Sequence, residues 1–211
     1  MEIVIDGSRG MAAGGEGVTF RDVFEKVRRE TAARRRIVVG YTLNGEPLTE
    51  ERRDALADQV PAGNALLEVR TADPYVMAGQ TLSGLRGHLD NMERSLGAAA
   101  DQYRAGQYAR ALEKFEEGLH AWEILVRAVR DVGQLLAADF LRLTAQGETI
   151  DLSLRRLQAA LLRFETALET KDVPRLHDLS REELLPHLSR WREVVSVLQE
   201  QAARGAAGPG A

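Results

Sequence analysis

The chain has no cysteine. Disulfides, thiolate metal centres and thiol nucleophiles are therefore excluded, and the expected compartment is the cytoplasm. No stretch approaches the ~20 uninterrupted apolar residues of a membrane span. The first residues, Met1-Glu2-Ile3-Val4-Ile5-Asp6, carry neither a basic leader nor an apolar run of signal-peptide length, so no membrane partner is expected. Lysine is nearly missing: Lys26, Lys114 and Lys171 are the only three among 28 basic residues. Such a bias reads as codon composition in a GC-rich genome, which lowers the weight of any arginine cluster. Neither sign of charge dominates, since the net charge is −4 and Lys+Arg stand at 11 against 13 Asp+Glu in residues 1–74 and 17 against 19 in residues 75–211. Nucleic-acid binding draws on phosphate neutralisation, so a general DNA or RNA binder is not expected.

Catalytic and cofactor signatures are missing too. There is no His-Glu-x-x-His, no Gly-x-Ser-x-Gly elbow and no Gly-x-Gly-x-x-Gly. Gly10 and Gly15 have the spacing of a phosphate-binding loop, but Glu16 stands where a lysine would neutralise phosphate. The glycine-rich stretch 7–17 therefore reads as a hairpin loop that binds no nucleotide. Glu117 and His120 form one Glu-x-x-His unit, which di-iron bundles need twice, and heptad phase points both to solvent. No catalytic, cofactor-binding or metal-binding residue is expected, and no cofactor.

What is present is ordinary globular composition, 44% hydrophobic and 28% charged. Ile3 and Ile5 alternate with polar residues, as in a half-buried strand. After the glycine-rich stretch, residues 18–20 can extend a second strand, and Thr19 can cap a helix carrying Phe20, Val23, Phe24 and Val27. That helix should end near Arg34-Arg35-Arg36, where positive charge suits its C-terminus. A β-rich run over residues 37–43 meets Asn44-Gly45, a tight-turn pair, and returns at Leu48. Residues 49–59 form a short helix and residues 65–71 a last strand. The predicted core of this unit is Phe20, Phe24, Ile37, Val39, Leu43, Leu48 and Leu67.

The order of these elements, with Ile37-Val38-Val39-Gly40-Tyr41-Thr42-Leu43-Asn44-Gly45-Glu46-Pro47-Leu48 as a middle hairpin and Leu66-Leu67-Glu68-Val69-Arg70 as a final strand, resembles the ubiquitin-like β-grasp fold. The resemblance covers about a third of the chain. It implies a binding surface and not a conjugated modifier, because the chain runs on past the last strand without a terminal diglycine.

Asp73-Pro74 marks a boundary, which makes residues 1–73 a small α+β module. Beyond it Leu82, Leu85, Leu89, Met92, Leu96, Ala99 and Tyr103 repeat in steps of three and four, a coiled-coil period. After Gly106 the steps resume at Tyr108 and continue through Phe115, Trp122, Val129, Leu136, Phe140 and Leu143, predicting one helix of about 54 Å. A third helix carries Ile150, Leu154, Leu157, Leu161, Phe164 and Leu168, and a fourth Leu184, Leu188, Trp191, Val195 and Leu198, with Pro186 threatening to kink it. Residues 74–203 thus read as an all-α antiparallel bundle of four helices, and 204–211 as a disordered tail. Residues 106–115 resemble one tetratricopeptide hairpin, but no second copy follows at the repeat length.

Two surfaces emerge as candidates. The seam of the long helix, Trp122, Val129, Leu136, Phe140 and Leu143, outruns its shorter neighbours and needs a cover, which predicts a homodimer unless the third and fourth helices stack along it. Arg28, Arg29, Arg34, Arg35 and Arg36 form a candidate surface for an acidic partner. Together these features predict a non-enzymatic adaptor, scaffold or chaperone-like factor that binds a protein partner through helical surfaces. The helical part also resembles, distantly, the small export chaperones of bacterial secretion and flagellar systems. An enzyme or ligand sensor with a site between the two domains stays open as the alternative.

Overall fold

A computed structural model describes residues 1–12, 15 and 17–207. The chain divides into two compact units, Met1–Pro74 and Tyr75–Ala211.

In the first unit β1 (Glu2–Ile5) and β2 (Ser8–Ala12) form a hairpin around Asp6-Gly7, both at positive φ, 49° and 78°. An aspartate followed by glycine suits that mirror-image turn, because glycine carries no Cβ to oppose it. The second strand therefore follows the turn at once and does not wait for residues 18–20. Of the glycine-rich stretch, residues 13, 14 and 16 lie outside the described residues.

Helix α1 (Phe20–Ala33) starts at a capping box, with the Thr19 hydroxyl accepting from the Asp22 N–H and the Asp22 carboxylate accepting from the Thr19 N–H. Its buried residues, Phe20, Val23, Phe24, Val27 and Thr31, recur at helical spacing, and Phe24 meets the Tyr41 ring at 4.9 Å. β3 (Ile37–Leu43) and β4 (Glu46–Pro47) turn at Asn44-Gly45, with φ of 52° and 84°. α2 (Glu50–Leu56) is capped by Thr49, and β5 (Leu66–Ala72) alternates buried Leu67, Val69 and Thr71 with exposed Glu68 and Arg70. The sheet order is β2-β1-β5-β3-β4, with β1 parallel to β5 and the other pairs antiparallel. Val39 departs from the expected core. A bulge between Val38 and Gly40 breaks the inward-outward alternation and leaves Val39 47% exposed.

The second unit is helical. α3 (Pro74–Arg104) buries Leu82, Leu85, Leu89, Met92, Leu96 and Ala99, as their steps of three and four require. α4 (Tyr108–Leu135) follows a turn at Gly106 (φ 71°) and is shorter than its apolar pattern implies. It ends because Ala137 adopts φ 48°, which lets the Ala138 N–H reach the Gly133 carbonyl at 2.8 Å and the Ala137 N–H reach Gln134. This is a Schellman ending built on alanine instead of glycine. The chain folds back so that Phe140 lies on Gly133. A two-residue hairpin, β6 (Thr144–Ala145) and β7 (Glu148–Thr149), then leads into α5 (Ile150–Glu169).

The last helical stretch begins well before Leu184. α6 (Val173–Leu179) passes through a π-helical turn, Ser180–Leu184, into α7 (Leu185–Ala206), so helix also occupies positions 204–206 of the expected tail. Positions 208–211 lie outside the described residues. In the wide turn the Leu185 N–H bonds to the Ser180 carbonyl five residues back. Pro186 follows directly, and the loosened ladder accommodates a ring that a regular α-helix would set against a carbonyl four residues earlier. Around one core, Phe115 meets Phe164 edge-on at 5.8 Å and Trp122 meets Trp191 at 6.3 Å.

Candidate functional site

Of the seam residues proposed as a dimer surface, Trp122 and Val129 are 0% exposed and Leu136 5%. Phe140 and Leu143 are half-buried and pack against the same core. They do not form a surface. The long seam is covered within the chain because α4 stops at Leu135 and the segment carrying Phe140 and Leu143 turns back onto it. The two tryptophans fill the core, although neither indole N–H has an acceptor among the described residues.

A different face of α4 is open. Leu119, Glu123, Val126, Arg130 and Gln134 recur at steps of three and four and face Gln158, Leu161, Leu162 and Glu165 of α5 across a cleft of about 670 Å³. From residue 119 to 134 the α4 stripe runs for about 22 Å. Leu162 stands 64% exposed on its rim. Arg127, Arg130, Asp131 and Glu165 line the cleft with no ion-pair partner among the described residues. Arg130 and Gln134 also border a smaller pocket under Gly133 and Phe140, which extends the groove toward the end of α4.

A second cluster lies at the hairpin. Glu148, whose side chain is 9% exposed, ion-pairs with Arg156 of α5 at 2.6 Å and with Arg190 of α7 at 2.8 Å. Ser153 donates to it at 3.2 Å. The Arg156 contact is an ion pair whose angle falls outside a directional hydrogen bond. His187 lies in the same field. Burial first, then the Arg190 charge, push its pKa below the ordinary histidine value. The shared Glu148 carboxylate thus ties the hairpin to α5 through Arg156 and to α7 through Arg190.

In the first unit Arg28, Arg29, Arg34 and Arg35 are exposed, and their guanidinium groups have no ion-pair partner among the described residues. Arg36 leaves the strip. Its Nε and Nη2 donate to the Thr71 hydroxyl and carbonyl, and it ion-pairs with Asp6 at 3.4 Å. Hydrogen bonds from the Thr71 hydroxyl and backbone N–H, with help from Arg36, hold the Asp6 carboxyl below its usual range. Glu117 pairs with Lys114 at 2.6 Å, while His120 faces Glu123 at 3.5 Å, so the Glu-x-x-His pair is not brought together. Among the described residues no group of three or more His, Cys, Asp or Glu side chains could hold a metal, and no helix is long and apolar enough to cross a membrane.

The model of a domain of unknown function, DUF8042, matches residues 80–194, which is 115 of 211 positions and carries both the groove and the Glu148 cluster. The chain belongs to that family. No curated protein and no solved structure matches it.

Proposed function

We propose that this protein is a non-enzymatic interaction factor, an adaptor or chaperone-like protein, whose groove between α4 and α5 receives an amphipathic helix of a partner protein. The observation that carries this reading is the juxtaposition of two helical stripes around one cleft, with Leu162 left in water and four charges of both signs unpaired along it. Burial of Leu162 in a complex would contribute up to about 1.5–3 kcal/mol. The stripe spacing suits a third helix laid into the groove, and unpaired Arg127, Arg130, Asp131 and Glu165 would fix its register. A β-grasp reading of the first unit agrees with an adaptor, and the sheet order with parallel central strands supports it.

The test is site-specific photo-crosslinking from position 162 in cells of the native host, with mass spectrometry of the product. Crosslinks that map to an amphipathic helix of another protein, and that vanish in Arg130→Glu at unchanged thermal stability, support the proposal. Crosslinks to a second copy, with a doubled mass in light scattering, would assign the groove to a homodimer. Crosslinks scattered over many unrelated segments would refute a specific groove.

A further inference from the structure

We infer that the outer edge of β3, over residues 37–40, is a strand-addition site for an extended, acidic segment of a protein partner. The backbone supplies the first half of the argument. β3 pairs with β5 along most of its length, but β4 covers only Thr42 and Leu43, and the last bond on that side runs from the Leu48 N–H to the Tyr41 carbonyl at 2.9 Å. Residues 37–40 therefore have a strand on one side, and among the described residues none on the other. A row of free N–H and C=O groups is a template for another strand. At its centre Val39, the bulged residue, has no partner in β5 and stands 47% exposed.

Charge supplies the second half. Arg34 and Arg35 stand three and two residues before β3, exposed and without a carboxylate among the described residues. Arg70 of β5 lies over the strand: a Cβ on residue 40 would stand 3.1 Å from its Nη2, so glycine at that position lets the guanidinium lie flat there. By contrast Arg9, Arg21, Arg36, Arg52 and Arg53 of the same unit are each paired with a carboxylate. Three free cations beside an open edge select a strand bearing carboxylates. They also disfavour a second copy of this edge, which would bring one Arg70 against another. Single-stranded nucleic acid fits less well, because the nearby rings of Phe24 and Tyr41 are buried at 8% and 5% exposure and offer no base a stacking face.

The experiment uses the full chain with a fluorescein-labelled peptide of Val-Glu repeats, its Val-Lys counterpart and a single-stranded RNA oligonucleotide. Expected are saturable binding of the Val-Glu peptide, slowed amide exchange confined to β3, and about tenfold weaker binding in Arg34→Glu/Arg35→Glu. Val39→Pro, which removes one edge N–H, should weaken binding as well. Should that variant unfold, the surface arginine pair carries the test alone. No saturable binding, equal binding of the Val-Lys peptide, or protection outside β3 would overturn the inference, and tighter RNA binding lost in the arginine double variant would reassign the edge to nucleic acid.

Discussion

Phe140 occupies the space above Gly133: a Cβ built on residue 133 would lie 2.3 Å from the Phe140 Cζ. The helix ends at the Ala137 turn, and the missing methyl group on residue 133 lets the connector pack back onto it. Gly133→Ala gains helix propensity worth about 1 kcal/mol, but it must displace a ring seated against the core, an overpacking cost of roughly 1–3 kcal/mol. A net loss is expected, read as a lower urea midpoint. An unchanged or raised midpoint would show that the ring moves freely.

Trp122→Ala and Leu162→Asp should separate core from surface. The first empties a fully buried site and should cost about 3–5 kcal/mol. The second, at a 64% exposed position, should stay within about 0.5 kcal/mol of wild type. Comparable losses in chemical denaturation would contradict the placement of Leu162 on an open rim.

Glu148→Gln leaves Arg190 and Arg156 facing each other without the charge that joins them. Because Arg156 is 57% exposed and solvent screens it, the expected cost is about 2 kcal/mol, below that of a fully buried pair. Thermal unfolding should come about 5 °C earlier. Deletion of Arg156 charge alone, as Arg156→Gln, should cost less than Arg190→Gln.

His187 makes stability depend on pH. Its folded pKa lies below the unfolded value of about 6.5, so the unfolded chain binds the proton more readily. Its contribution is complete above that value and declines as pH falls below it, levelling off beneath the depressed folded pKa. His187→Phe should flatten that portion of the stability profile. An equal slope in both proteins would assign the dependence to other groups.

Much of this was legible in the chain, for physical reasons that differ by element. Leu82 through Ala99 predicted their own burial because one face of a long helix admits only one phase. Asn44-Gly45 predicted its turn by conformational preference alone. The end of α4 was hidden, since Ala137 at positive φ carries no residue signature and Gly133 looks like any mid-helix glycine. Leu162 was equally opaque. Its neighbour Leu161 satisfies the seam, and whether the adjacent leucine faces core or water depends on how far α5 is rotated against α4. The open β3 edge depends on β4 being only two residues long, which the hydrophobic pattern does not register.

The π turn at Ser180–Leu184 also keeps time. Buried Leu176, Ser180, Leu184 and Leu188 follow one another at intervals of four, and in a regular helix of 3.6 residues per turn each interval would swing the stripe about 40° from the core. One widened turn absorbs most of that drift. It behaves as a stored insertion, a single surplus residue confined to one spot. Excision of exposed Arg181 would close the ladder into ordinary α-helix and set the Pro186 ring against a carbonyl four residues earlier, so the proline that follows holds the surplus residue in place.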